Sequence, residues 1–306
     1  MSAITTAADE QIDYIPLTES DPGTRSRGKR RKRQIRLVLW GVPIIVFILI
    51  AIFGPMIVPY DSVTVRTGDR LKSPGTVLRD GSTAWLGTDQ VGRDMLAQVL
   101  QGARISLLVG AATVVLAGLI GMFVGVIAGY RGGFLDSLLM RLADIQLAFP
   151  SIIFAIMIAA VIGPSVVNVI ITLAITRWVV FARISRAAVL SVKEQEFVTA
   201  ARAIGADAPR QLTRHIVPSI IAPLIVIATV EIGLVIIAEA SLSFLGLGTP
   251  PSQPSWGQTI AQGRDYLNNA WWISTIPGIA LCLVVISVGV FGDRLRDYLD
   301  PRMQKG

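Results

Sequence analysis

The chain has 306 residues, of which 52% are hydrophobic and only 16% charged, against about 25% charged in a soluble domain. Its apolar residues fall in blocks of about twenty or more, long enough to cross a bilayer, and it carries 28 Lys and Arg against 21 Asp and Glu. A single cysteine, Cys282, excludes an intramolecular disulfide and a thiolate metal cage, and a single histidine, His215, leaves a His-based metal site or a Ser-His-Asp triad almost nothing to work with.

Residues 1–36 form a polar tail without apolar periodicity, ending in RSRGKRRKRQIR, and are expected to be disordered and cytoplasmic. A basic run directly before a span is an orientation signal that touches anionic lipid, not a nucleic-acid-binding segment. Gly23 to Arg30 imitates a phosphate-binding loop up to its last position, where Arg30 stands in place of the hydroxyl that magnesium needs. The first span, 37–58, is about twenty residues long with no A-x-A site after it, so it remains as an anchor. Residues 59–104 are too polar for lipid and are expected to be an extracytoplasmic loop. In it Trp85 to Asp94 forms a turn, Thr88 or Asp89 is a possible helix cap, and 94–104 is a short interfacial helix. That segment either caps the entry to the next span or forms a lid over the outer mouth of a pathway.

Five further spans are predicted at 105–129, 139–163, 165–186, 219–244 and 272–292, followed by a cytoplasmic tail, 293–306. With the N-terminus inside, 20 Lys and Arg face the cytosol against seven outside (Arg66, Arg70, Lys72, Arg79, Arg93, Arg104 and Arg264), which places both termini inside. In the second span Gly121, Gly125 and Gly129 share one helix face and form a close-packing surface. Three charges lie within spans and are the candidate pathway or interface residues: Arg177, Glu231 and Glu239. Counted from the span ends, Arg177 and Glu231 differ in depth by roughly 12 Å, so a direct ion pair is not favoured. Glu231 is expected to face a helix interface or the pathway, and Glu239 to snorkel at the outer edge.

The inner loop between the fourth and fifth spans, from Lys193 to Gly205 and on through ADAPRQLTRHIVP, carries acids at its start and Phe197, Ala201 and Ile204 at helical spacing. This predicts a short amphipathic helix with Gly205 at or near its end. Such a helix is either packed on its own bundle or docked into another protein.

The same stretch resembles the EAA loop of bacterial ABC importer permeases, E-A-A, three residues, Gly, nine residues, I-x-L-P. Ala200, Ala201, Gly205 and Pro218 are in register, with Thr199, His215 and Val217 replacing the glutamate, isoleucine and leucine. LGTDQVGRD, GARISL, GYRGG, DIQLAFPS and EASLSFLGLGTPPSQPSWG are similar to the dipeptide, oligopeptide and nickel permease branch, and the likeness runs from Leu37 to Pro301. The resemblance implies an all-α permease of the second kind in a pair, in a prokaryotic inner membrane. It implies six transmembrane helices, with a five-helix type I core at 105–292 and an ATPase-coupling helix at about 194–207. Glu196, Phe197, Thr199, Ala200, Ala201 and Gly205 would belong to that helix, with Pro218 starting the next span. The implied partners are a homologous permease, two cytoplasmic ATPases that bind ATP and magnesium, and an extracytoplasmic solute-binding protein. The chain itself would bind no cofactor and perform no catalysis. The implied cargo is a di- or oligopeptide, with nickel or glutathione as alternatives. A different class, an ion-coupled secondary transporter, rests on Glu231 with Pro223 and Gly233.

Overall fold

The computed structural model describes residues 22–59, 61 and 65–299, with side chains from residue 38 onward. Helix α1 runs Pro22–Ile57, so the chain is already helical through 22–36, where no regular structure was expected; residues 1–21 and 300–306 lie outside the described residues. A two-stranded ribbon, β1 (Thr76–Val77) and β2 (Thr83–Ala84), pairs antiparallel with Thr76 opposite Ala84. It is the one sheet among the described residues, with a single antiparallel bridge between Thr88 and Asp94 beside it.

Helix α2 is continuous over Met95–Arg131, which corrects the reading of 94–104 as a separate interfacial helix. At 1.5 Å per residue it is about 55 Å long and outruns the hydrocarbon core. Its cap is Asp94, whose side chain accepts from the N–H of Leu96 at 2.9 Å; neither Thr88 nor Asp89 is the cap. Gly102 does not interrupt it, because the Trp256 ring lies 2.7 Å from where a Cβ would stand and so fills the space beside the backbone.

The span predicted at 139–163 is broken. Helices α3 (Gly133–Leu147) and α4 (Ser151–Ile162) meet at 87° around Phe149-Pro150. Proline has no N–H to continue the ladder and disfavours helical backbone in the residue before it. Among the described residues five helices are therefore long and apolar enough to cross a membrane, or six spans if the bent pair is one.

Helix α5 (Val166–Lys193) lies along α2, with Gly121, Gly125 and Gly129 at the crossing: a Cβ at Gly125 would stand 2.6 Å from Ser185 Cβ and one at Gly129 2.9 Å from the Arg186 carbonyl oxygen. The three glycines are thus the face on which α2 and α5 approach. After α5 come α6 (Glu196–Ala203), α7 (Ala208–Gln211), α8 (Val217–Phe244), α9 (Trp256–Gly263) and α10 (Trp272–Leu299). Val109, Ala117, Leu173, Phe181, Ile220 and Leu242 form the main core between α2, α5 and α8. Helix α1 joins the bundle through Ala51, which packs in the Trp256–Val284–Val288 cluster between α2, α8 and α10.

The two ends of the bundle are built differently. At one, the cap end, the loop 65–94 and the first turns of α2 meet the segment 245–272: the Trp272 indole N–H donates to the Thr88 carbonyl at 3.1 Å and the Trp256 indole N–H to the Val99 carbonyl at 3.0 Å. At the other, the α6 end, Lys193 Nζ donates to the Gly129 carbonyl at 3.2 Å and the Tyr130 hydroxyl to Gln211 Oε1 at 3.2 Å.

Candidate functional site

Helix α6 stands at the α6 end with Glu196 in its first turn and Arg202 in its last, each sign matching the helix dipole. It is shorter than the expected helix, because Glu194 closes α5 and Gln195 is extended. Val198 and Ala201 are buried against the chain's own bundle, while Glu196, Thr199, Ala200, Arg202 and Ile204 face outward, Ile204 at 88% exposure. The expected face of Phe197, Ala201 and Ile204 is therefore split. Ala201 points inward, and the half-exposed Phe197 ring leans on His215 with centroids 6.1 Å apart. In a helix this short the side that turns inward is decided by tertiary contacts, which helical spacing cannot supply.

Gly205 ends α6 at φ +86°. Its N–H donates to the Arg202 carbonyl at 3.1 Å and the N–H of Ala206 donates to the Ala201 carbonyl at 3.0 Å, the paired bonds of a Schellman motif. Nothing lies within 4 Å of a Cβ placed there, so glycine is required by backbone conformation and not by close approach. Beyond it Asp207 caps α7, and the buried Gln211 donates from Nε2 to the Ala206 carbonyl at 2.6 Å. A wide turn over Leu212–Ile216 leads into α8, where Pro218 falls in the first turn and its missing N–H costs nothing.

Arg177 and Glu231 do meet, Nη1 to Oε2 at 3.6 Å, contrary to the depth argument. A depth for Glu231 counted from Ile216 as the inner edge of the span is misplaced, because the chain is helical from Ala208 and the start of α8 is no guide to depth. Glu231 is buried at the α5–α8 interface, as expected of an intramembrane carboxylate.

Glu239 is fully buried and does not snorkel. Its carboxylate accepts from Ser243 Oγ at 2.7 Å and from Ser106 Oγ at 3.2 Å. Those hydroxyls accept in turn from the backbone N–H of Thr249 at 3.2 Å and of Trp256 at 3.3 Å, and Ser255 Oγ lies 3.2 Å from Ser243 Oγ. These hydrogen bonds converge on one buried carboxyl group and tie α2, α8 and α9 together. Sequence reasoning missed this cluster, as it missed the ion pair between Arg186 and Asp136; small serines far apart in the chain carry no pattern that marks them as partners.

The sequence profile described as binding-protein-dependent transport system inner membrane component matches residues 121–305. The chain belongs to that family. The di/tripeptide transport system permease DppC of Pseudomonas aeruginosa is 39% identical over 261 residues, 85% of this chain and 86% of that one. The oligopeptide transport system permease OppC of Bacillus subtilis is 40% identical over 276 residues, 90% and 88% of the two chains. The glutathione transport system permease GsiD of Pectobacterium atrosepticum is 36% identical, covering 90% of each. Among solved structures the inward-facing MetNI methionine ABC transporter superposes with a TM-score of 0.56 at 18% identity, over 67% of this chain and 97% of that one, and shows the shared fold. The chain is thus an ABC importer permease of the dipeptide and oligopeptide branch.

Proposed function

We propose that this permease pairs with a homologous permease to enclose a pathway for di- and oligopeptides, and that α6 couples the pathway to two cytoplasmic ATPases, which alone bind and hydrolyse ATP with magnesium. The observation that carries the reading is the two-sidedness of α6. Val198 and Ala201 fasten it to the bundle, while Thr199, Ala200, Arg202 and Ile204 leave a face that the chain itself does not cover. A short helix bonded at both ends, with one side in its own core, moves as a lever and not as a loose loop.

Peptide cargo is supported by the names of relatives about 40% identical over most of the chain; the glutathione permease keeps a small modified peptide as the alternative. The α6 end faces the cytosol with both termini, in keeping with the 20 basic residues on that side against seven on the other. The cap end faces outward, where a solute-binding protein delivers cargo. Ion coupling through Glu231 loses its ground, since Glu231 is matched by Arg177.

Because Ala201 faces inward, the decisive substitutions are Ala200→Glu and Ile204→Asp on the open face. In the reconstituted importer each should lower ATPase retention and ATP-dependent peptide uptake by about tenfold or more, as a desolvated charge costing about 1.4 kcal/mol or more would. The thermal midpoint of the isolated permease should be unchanged. Retention and uptake at wild-type levels in both variants would refute the coupling role.

A further inference from the structure

Helix α3 has 15 residues and one buried residue, Ala143, whereas α4 beyond the bend places Ala155 and Ala159 in the main core. Apolar burial therefore does little to fix where α3 stands. Both of its ends are jointed. Gly132 before it and Gly133 at its first position, at φ +65° and +61°, have open space around them, and the 87° bend at Phe149-Pro150 follows it.

What holds α3 is a row of polar contacts, all to α5. Arg186 grips Asp136 with two bonds, Nε to Oδ1 at 2.5 Å and Nη2 to Oδ2 at 2.6 Å. Arg183 Nη2 meets Asp144 Oδ1 at 2.5 Å. Gln146 Nε2 donates to the carbonyls of Ile175 at 2.9 Å and Thr176 at 3.1 Å, and its Oε1 accepts from the Trp178 indole at 2.9 Å. The order is antiparallel, so the contacts fasten α3 along most of its length. A bidentate guanidinium–carboxylate pair also resists rotation, which a single bond does not. Meanwhile α5 passes into α6 through Glu194 and Gln195 alone, with the Gln195 N–H bonded to the Val192 carbonyl at 3.1 Å.

We propose that Asp136–Arg186, Asp144–Arg183 and Gln146–Trp178 form the linkage that carries the displacement of α6 through α5 to α3, the half of the broken span that packing leaves free. This rests on the reading of α6 as the coupling helix. These are positioning residues: they make α3 follow α5, and without them α3 swings on its two joints and the movement of α6 is lost before it reaches the pathway.

The test uses the assembled importer in vesicles, with the exposed Cys282 first replaced by Ser. The double variant Asp136→Asn/Asp144→Asn should retain its ATPases and hydrolyse ATP as the parent does, while uptake falls by about tenfold. The exchange Asp136→Arg/Arg186→Asp should recover uptake relative to Asp136→Arg alone. Spin labels at Ser137→Cys on α3 and Ser191→Cys on α5 should report one narrow distance with and without trapped nucleotide in the parent, and a broad distribution in the double variant. A merely stabilising role predicts that assembly, hydrolysis and uptake fall together. That result, wild-type uptake in the double variant, or a parent distance that changes with nucleotide would each overturn the linkage. Failure of the α6 reading shows elsewhere, in the open-face variants that leave ATPase retention untouched.

Discussion

At the cap end the buried carboxylates Asp89 and Glu239 accept hydrogen bonds only from the chain's own donors, Gln98 and the N–H groups of Val91 and Arg93 for the first and three serines' network for the second. At the α6 end Arg183 and Asp144 meet across a pair that is about half exposed, and Thr199, Ala200, Arg202 and Ile204 stand open. A polar group inside a membrane protein has to be satisfied by protein, and at the cap end these two carboxyl groups find their donors within the chain. The α6 end leaves a face for another protein to cover. The contrast teaches where stability and where function reside: substitutions at the cap end should be read as loss of fold, and those on the open face of α6 as loss of coupling.

The sharpest way to break this contrast is Glu239→Ala. It leaves the hydroxyls of Ser106 and Ser243 without their acceptor, and two buried hydroxyls left unsatisfied cost about 2 kcal/mol or more. The isolated permease should lose several degrees in thermal midpoint, and the segment 245–263 should become the first site of proteolysis. An unchanged midpoint would show that the buried carboxylate does not hold the cap end together.

Gly205 tests the other end with a smaller effect. Its φ of +86° costs an L-residue about 1–2 kcal/mol, and the open space around it adds no clash. Stability should therefore fall in the order Gly205→Asn, Gly205→Ala, Gly205→Val, since Asn tolerates left-handed backbone and Val is branched at Cβ. The thermal midpoints of the three variants measure this. Equal losses for Asn and Val would mean that something other than backbone conformation is at work.

Much of the architecture was legible in sequence because hydropathic length and helical spacing are local. The long helices, the glycine face of α2 and the glycine that closes α6 all follow from neighbours within a turn or two. What stayed hidden depends on residues far apart. Gly102 is tolerated in α2 because Trp256 lies beside it, and the segment beyond α6 is held by the bond between Tyr130 and Gln211, 81 positions apart. Glu239 is satisfied by Ser106, 133 positions away. The break at Pro150 was visible as a residue, yet hydropathy averaged over a span passes across it.

The smallest effect belongs to Asp94, at the start of α2. Asp94→Ala removes the cap on the Leu96 N–H and should cost about 1 kcal/mol, whereas Asn caps as well and should be nearly neutral. The two differ in their dependence on pH. Burial pushes the Asp94 carboxyl above its ordinary value of 3.8, against the lowering effects of the Leu96 N–H and the Arg66 charge. The folded chain thus holds this proton more tightly than the unfolded one. The stability it contributes is fully present below the ordinary aspartate range and is lost as pH rises through the higher folded value. Asp94→Asn has no such proton, so its thermal midpoint should gain on the parent as pH is raised from about 4 toward neutrality and then keep a constant lead. If the parent gains on Asp94→Asn over that range, attraction of the carboxylate to the helix terminus and Arg66 outweighs its burial, and the cap end draws stability from a charge it does not fully enclose.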